Sequence, residues 1–323
     1  MRLPRELSLH RLAMVGILAV LALISGGSPT SFEYWTLDAR FAINRALVSG
    51  DAPADTAVLL VTPESERRLD DIYGSSWRRW YPEMVRTLAD HGARGIVWDA
   101  TFLAPEPEHD PSLAAAFREL PVVAAENNHE RNNDTLRPAL AGVGWKQFII
   151  SGSLPRRTLA DTPLPPLGAV AAQILSEPAS RRSRDQLPLN AGASRAVRWL
   201  DFSYDPLRAP SFDIADLILA GDQRLANDKA TPLSVFTDRI IFVGTDLPGA
   251  DRYPIPGTRG QPVPGVLAQM VAMWSYLEPL PVVRVERWLA RLAALAPAAL
   301  IVLAGTARHR KVRRALVPVL VAV

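Results

Sequence analysis

Cysteine is absent from all 323 positions of the sequence, which excludes disulfides, zinc–thiolate sites and thiol nucleophiles. The common catalytic signatures are missing as well. There is no Gly-x-x-x-x-Gly-Lys phosphate loop, no Gly-x-Ser-x-Gly elbow and no His-Glu-x-x-His helix. His91, His109 and His129 are too scattered along the chain to indicate a metal site. The sequence therefore gives no direct sign of an enzyme, and no cofactor or metal can be assigned from it.

Charge is distributed unevenly, although the net formal charge is only +3. Residues 1–11, 284–291 and 308–314 carry formal charges of +2, +2 and +5, which leaves −6 on residues 12–283. The positive charge thus lies beside apolar runs, where anionic lipid would attract it. We therefore predict that the chain has a membrane as a partner and that it does not bind nucleic acid.

Three apolar stretches flank the acidic body of the chain, and the basic run Arg308–Arg314 separates the last two. Positively charged flanks of membrane helices stay on the cytoplasmic side, so we expect residues 308–314 and the N-terminus in the cytoplasm. The resulting division is a cytoplasmic N-terminus at 1–11, a membrane helix at 12–28, an extracytoplasmic domain at 29–283, a second membrane helix at 284–307, a cytoplasmic loop at 308–314 and the start of a third membrane helix at 315–323.

The first apolar run has two interpretations. It is short for a membrane helix, which needs about 20 residues, and Ser25-Gly26-Gly27 fits the cleavage site of a signal peptide. The aromatic residues Phe32, Tyr34 and Trp35 fit instead the interfacial belt of a retained helix, and we favour retention. The sequence ends within the third run, so we expect either a fragment or a protein shortened at its C-terminus.

The extracytoplasmic region alternates between short apolar runs and amphipathic or helix-capped segments. The apolar runs predict strands at 57–62, 95–99, 121–125 and 239–245, with further candidates at 147–150 and 196–202. Helices are predicted at 80–91, 110–120, 165–175, 212–219 and 263–277. In the second of them, Asp110 is the expected N-cap and Pro111 the first residue. Residues 127–165, which include the strand candidate at 147–150, and residues 176–195 are predicted as loops or excursions. This alternation predicts an α/β fold with a mostly parallel sheet and helices on both faces.

Several charged residues follow predicted strands or begin predicted helices. Asp99 ends one strand, while Asp246 and Asp251 follow another. Because ligands of parallel sheets bind outside the carboxyl ends of the strands, we predict that Asp99, Asp110, Asp246 and Asp251 face one crevice and bind a cation or a basic group. Arg79 is a candidate contact for an anion. The alternative for each aspartate is a structural role as a helix cap or loop anchor.

The order of these segments resembles the CHASE domain of type 2, a bacterial extracellular sensory module associated with cyclases and histidine kinases. The segments that carry the resemblance, over roughly 30–280, are Trp35–Phe41, the strand at 57–62, Trp77–Trp80, Gly92–Phe102, Asp110, Arg239–Thr245, Asp251, Pro256 and Pro264-Gly265. One departure is plain. The family usually has an aspartate after the first strand, where this chain has Thr62-Pro63-Glu64-Ser65.

The resemblance implies a sensor in the bacterial inner membrane, with its main domain in the periplasm or outside the cell. It would bind an unknown extracellular signal and pass it through the helix at 284–307, with a second copy of the chain or a cytoplasmic signalling protein as partner. Two alternatives remain open. One is a membrane-tethered envelope enzyme that uses the carboxylates at the strand ends, and the other is a structural envelope protein.

Overall fold

The computed structural model describes the central part of the chain. The described residues are 53, 55–74, 76–127, 129–151, 154–158, 164–175, 200, 202, 204–221, 233–255 and 262–277. Within them, no helix combines the length and the apolarity needed to cross a bilayer. The predicted membrane helices at 12–28 and 284–307, the loop at 308–314 and the third run at 315–323 lie outside them, as does most of the strand candidate at 196–202.

Ten strands are described, and six of them form the central sheet. The strands are β1 (Thr56–Val61), β2 (Gly95–Trp98), β3 (Val122–Glu126), β4 (Gly142–Trp145), β5 (Phe148–Ser151), β6 (Leu154–Thr158), β7 (Ser211–Asp213), β8 (Ile240–Thr245), β9 (Arg252–Pro254) and β10 (Pro262–Pro264). The central order is β4-β3-β2-β8-β1-β7, and every pairing within it is parallel. The pairs β5–β6 and β9–β10 are separate antiparallel hairpins. The predicted parallel sheet is confirmed.

Helices cover both faces of the sheet, as predicted. They are α1 (Pro63–Tyr73), α2 (Trp77–Asp90), α3 (Asp110–Phe117), α4 (Leu167–Leu175), α5 (Ile214–Gly221) and α6 (Gly265–Leu277). Three short 3₁₀ helices are described at Arg137–Ala139, Pro206–Arg208 and Leu233–Phe236. Helices α1, α2, α3 and α5 share one core with Leu59, Ile96 and Val243 of the sheet. Helices α4 and α6 pack against each other and against β4 and β8 on the opposite face.

The face on which each helix lies follows from the direction in which the chain moves across the sheet. Steps from β1 to β2, from β2 to β3 and from β7 to β8 run towards β4, and their helices lie on the first face. The return from β4 to β7 runs the opposite way, and its helix α4 lies on the other face. A single handedness of crossover requires this alternation. Because every pairing in the sheet is parallel, the carboxyl ends of all six strands lie at one edge.

The face that carries α4 and α6 is built on close approach of backbones. A Cβ atom added at Gly168 in α4 would lie 2.7 Å from the backbone of Ala272 and Met273 in α6. A Cβ added at Gly244 in β8 would lie 2.5 Å from Val266, in the first turn of α6. These glycines therefore bring α6 directly against both the sheet and α4.

An aromatic cluster on the opposite face fixes the segment that follows β2. Trp98, the last residue of β2, packs edge-on against Tyr81 and Phe102, with ring centroids 4.5 and 5.1 Å apart. Phe117 of α3 closes the cluster at 5.9 Å from Trp98. Because Trp98 is held from three sides, the next residue, Asp99, leaves the strand from a rigid position.

Three local predictions need correction. Asp110 is the first residue of α3 and not its N-cap, which is His109, because the Asp110 carboxylate turns inward to Arg78. The strand candidate at 147–150 corresponds to β5, but the stretch 127–165 around it, predicted as loops or excursions, also contains β4 and β6. The final helix begins at Gly265 and not at 263, because residues 262–264 pair with 252–254 as a hairpin.

Candidate functional site

A cavity of about 200 Å³ opens at the carboxyl edge of the sheet. Residues that follow β2, β4 and β8 line it, and Gly265 and Val266 of the first turn of α6 form another wall. The polar side chains around it are those of Asp99, Thr101, Glu130, Lys146, Thr245 and Asp251. The cavity thus occupies the position at which open parallel sheets bind their ligands.

Asp99 is the central ionisable group of this cavity. Its side chain is partly buried, and removal from solvent raises its pKa to about 7, since burial disfavours the charged form. The negative charge of Asp251 raises the pKa further, whereas Lys146 and a hydrogen bond from Gln269 lower it. Near neutral pH, Asp99 therefore exists as a mixture of the protonated and ionised forms.

Gln269 and Lys146 connect Asp99 to two elements of the fold. Gln269 is a buried residue of α6, and its Nε2 donates to the backbone oxygen of Lys146 at 2.6 Å as well as to Asp99. The Nζ of Lys146 forms an ion pair with Oε2 of Glu130 at 3.1 Å. Glu130 is itself held by the Nδ2 of Asn127 at 2.5 Å. The charged groups of the cavity are therefore positioned by bonds to β4, to α6 and to the loop after β3.

Asp251 stands at the rim of the cavity, where the hairpin β9–β10 meets α6. Its carboxylate is exposed, while its backbone oxygen accepts from the N–H of Gly265 at 2.8 Å. A Cβ added at Gly265 would lie 3.1 Å from that oxygen and 3.3 Å from the ring of Tyr253. Burial raises the pKa of Tyr253, and the negative charges of Asp251 and Asp99 raise it further.

The structure brings together only part of the residue set expected from the sequence. Asp99 and Asp251 line the same cavity. Asp246, directly after β8, forms an ion pair with Arg252, whose guanidinium also donates to the backbone oxygen of Pro262 at 3.1 Å. Asp246 therefore anchors the hairpin β9–β10.

Asp110 lies apart from the cavity lining, in a buried polar cluster at the start of α3. Its Oδ1 accepts from Arg78 at 2.5 Å, and its Oδ2 accepts from the backbone of Glu106 at 2.9 Å and from Asn133 at 3.1 Å. Arg78 lies in turn over the ring of Phe102. Asp110 is only 1% exposed, and its partners come from the protein. These contacts give it a structural role.

Arg79 is exposed on α2, and its Nε donates to Nε2 of His109 at 3.2 Å. It is not among the residues that line the cavity. The structure therefore does not place it with Asp99 and Asp251. Whether Arg79 or any of the four aspartates contacts a ligand stays a prediction.

Sequence reasoning missed Lys146, Glu130 and Gln269. Lys146 follows β4, a strand that the sequence pattern did not reveal. Gln269 did carry a signal, because it is the single amide side chain in the apolar segment Gly265–Leu277. A polar residue inside a buried helix requires a hydrogen-bonding partner, and here that requirement points to the cavity.

The carboxylate side chains that line the cavity limit the kinds of group that it can bind. Within the part of the chain that the structure describes, no three histidine, aspartate or glutamate side chains are placed to hold a metal ion. Asp99 and Asp251 instead offer carboxylate oxygens beside a cavity large enough for a small molecule. These oxygens can accept hydrogen bonds or pair with a positively charged group.

Comparison with known families agrees with this architecture. The family model of the CHASE2 domain matches residues 14–307, which is most of the chain. This chain belongs to the CHASE2 family. No curated protein and no solved structure matches it. CHASE2 domains are a family of extracellular sensory domains, so the resemblance drawn from the sequence is confirmed at the level of the family.

The segment after β1 of this CHASE2 domain, where the family usually has an aspartate, is a helix cap. The hydroxyl of Thr62 accepts from the backbone N–H of Ser65 at 3.1 Å, and it donates to Oδ2 of Asp213 at 2.6 Å. Ser65 completes the capping box by accepting from the backbone N–H of Thr62. Thr62 and Ser65 thus begin α1 and join it to the end of β7.

Proposed function

We propose that this CHASE2 domain is the extracytoplasmic part of a membrane-anchored sensor, and that its signal binds in the cavity beside Asp99. The observation that carries the proposal is the cavity at the carboxyl edge of the sheet, which Asp99 and Asp251 line. A carboxyl group with a pKa of about 7 costs folding free energy at neutral pH, and such perturbed groups concentrate at functional sites. A buried structural carboxylate such as Asp110 has protein partners for both oxygens, whereas Asp99 faces a cavity.

Helix α6 supports a connection between this cavity and the predicted membrane helix. Val266 in its first turn lines the cavity, and Gln269 in its second turn donates to Asp99. The helix ends at Leu277, seven positions before the segment 284–307. A ligand that favours one position of α6 over another would shift the equilibrium between signalling states. A second copy of the chain or a cytoplasmic protein would receive the signal.

The topology is tested with reporter fusions in the full chain. An alkaline phosphatase or fluorescent-protein fusion at Asp185 should report the extracytoplasmic side, and one at Arg310 should report the cytoplasm. The charge distribution is the reason, because +5 at 308–314 resists translocation, whereas residues 12–283 carry −6. If both fusions report the cytoplasm, the sensor proposal fails.

The location of the signal site is tested separately by blocking the cavity. Thr245 lines the cavity at the end of β8 and is partly exposed, so Thr245→Trp should fill it and leave the sheet intact. A small-metabolite screen by thermal unfolding of the full chain should yield ligands that stabilise the wild type but not this variant. Ligands that stabilise both equally would place the signal site elsewhere.

A further inference from the structure

We propose that the cavity beside Asp99 binds a small organic cation, with a primary ammonium or guanidinium group held between Asp99 and Asp251. This inference rests on the proposed function, because it names the class of signal that the same cavity would take.

The charge balance of the cavity is the first argument. Three carboxylates, those of Asp99, Glu130 and Asp251, face it together with one ammonium group, that of Lys146. The Lys146 ammonium pairs with Glu130 at 3.1 Å and also lowers the pKa of Asp99, so one positive charge is shared among three carboxylates. Asp99 and Asp251 repel each other, as the effect of Asp251 on the pKa of Asp99 shows. A cationic group between them replaces this repulsion with two attractions.

The hydrogen-bonding capacity of Asp99 is the second argument. An ionised carboxylate accepts about four hydrogen bonds, and the Asp99 carboxyl receives one from Gln269. Gln269 is fixed for this role because its Nε2 also donates to the backbone oxygen of Lys146 at 2.6 Å. An ammonium group has three donors and no acceptor. It therefore matches the acceptor oxygens that Asp99 and Asp251 present at the cavity.

Size and coordination favour an organic cation over a metal ion. A water molecule occupies about 30 Å³, so a cavity of about 200 Å³ has room for a chain of about six non-hydrogen atoms. Calcium requires six to eight oxygen ligands, whereas the described residues contain no three carboxylate or histidine side chains placed for a metal ion.

Binding of such a cation should depend on pH in a defined direction. The cation pairs with ionised Asp99, and Asp99 has a pKa of about 7 in a surrounding of Lys146, Asp251, Glu130, Tyr253 and the uncharged Gln269. At pH 8 about nine tenths of Asp99 is ionised, and at pH 6 about one tenth. We therefore expect binding to weaken about tenfold from pH 8 to pH 6.

The experiment uses the full chain in a nonionic detergent and three probes of equal carbon-chain length but different charge. These are 1,4-diaminobutane, butane-1,4-diol and succinate, and binding is read from the shift of thermal unfolding, followed by tryptophan fluorescence. We expect saturable stabilisation by 1,4-diaminobutane alone, because only this probe is cationic. At pH 6, half-maximal stabilisation should require about ten times more 1,4-diaminobutane than at pH 8.

Single substitutions test whether 1,4-diaminobutane binds between Asp99 and Asp251. Asp99→Asn should weaken binding of 1,4-diaminobutane about tenfold or more, because a charge-assisted hydrogen bond is lost, and should abolish the pH dependence. Asp251→Asn, at the exposed rim, should weaken binding with the pH dependence retained, so the test does not depend on folding of one variant. The matched control is Asp134→Asn, an exposed aspartate outside the cavity lining, which should bind as the wild type does.

Three results would overturn the proposal, and all three differ from a failure of the proposed function. Stabilisation by 1,4-diaminobutane that Asp99→Asn and Asp251→Asn leave unchanged would mean that the cation binds elsewhere. Stabilisation by succinate or butane-1,4-diol that Thr245→Trp abolishes would keep the cavity as the signal site but reject the cationic class. Absence of stabilisation by 1,4-diaminobutane at pH 8 also rejects that class, whereas the sensor proposal is decided by the reporter fusions and the metabolite screen.

Discussion

Replacement of Asp99 by asparagine should stabilise the domain at neutral pH, although it removes a group from the proposed binding site. The carboxyl of Asp99 has a pKa of about 7 in the folded chain, against an ordinary value of 3.8. Between these two values the folded chain retains a proton that the unfolded chain has released. Stability must therefore fall as the pH rises from about 4 to about 7, and level off above 7. Asparagine has no proton to lose and escapes this penalty.

The size of the effect follows from the same two values. Each factor of ten in proton affinity corresponds to about 1.4 kcal/mol, so the full penalty at pH 8 is about 4 kcal/mol. The part that develops between pH 5 and pH 8 is about 3 kcal/mol on the same scale. Solvent screens a carboxyl that is only partly buried. We therefore expect the difference in unfolding free energy between Asp99→Asn and the wild type to be about 1–2 kcal/mol larger at pH 8 than at pH 5.

The measurement is chemical denaturation of the full chain at pH 5 and pH 8 for wild type, Asp99→Asn and the control Asp134→Asn. The free energy of unfolding of Asp99→Asn should exceed that of the wild type at pH 8, and the difference should shrink at pH 5. The control should follow the wild type at both values. A loss of stability in Asp99→Asn at pH 8, or a difference that does not change with pH, would refute the reasoning and make Asp99 a structural residue.

Further substitutions test the core at Phe242 and the buried ion pair between Arg78 and Asp110. Phe242 is fully buried in β8, so Phe242→Ala should lower the free energy of unfolding by about 3–5 kcal/mol. Phe242→Leu should lower it by less. A loss under about 1 kcal/mol in Phe242→Ala would place this segment at the surface. Arg78→Met leaves the Asp110 carboxylate buried without its cation, so it should lower the free energy of unfolding by about 3–5 kcal/mol. Adding Asp110→Asn to the same chain should restore part of this loss. Equal losses in the single and double variants would contradict an ion pair.

The strands that the sequence revealed are those with a continuous apolar run. β1, β2 and β8 are buried on both faces, so nearly every position between Thr56 at the start of β1 and Thr245 at the end of β8 that belongs to these strands is apolar or glycine, and the pattern is visible without knowledge of partners. β4 has the sequence Gly-Val-Gly-Trp, and glycine has a low strand propensity. A Cβ added at Gly144 would lie 2.5 Å from the backbone of Leu167, so this strand is determined by packing against α4, which the local sequence does not report.

The same limit applies to the candidate site. That Asp99 and Asp251 share a cavity follows from strand ends that the pattern located, and this part was predictable. Lys146 was hidden because β4 was hidden. Asp110 and Asp246 have the same residue type and similar positions beside strands and helices, but each has a nearby arginine that satisfies it. The sequence does not say which carboxylates have such partners, because Arg78 and Asp110 meet only through the packing of α2 on α3.

The backbone packing of α6 restricts how this helix can move. Its residues from Gly265 to Ser275 are all buried, and the approach of Gly168 to Ala272 leaves no space for a sideways shift, since backbone atoms yield far less than side-chain ends. At 1.5 Å per residue its 13 residues form a rod about 20 Å long. The motions that this packing opposes least are sliding along the helix axis and rotation about it. We therefore expect a disturbance at Gln269 to reach Leu277 as an axial shift or a rotation of α6.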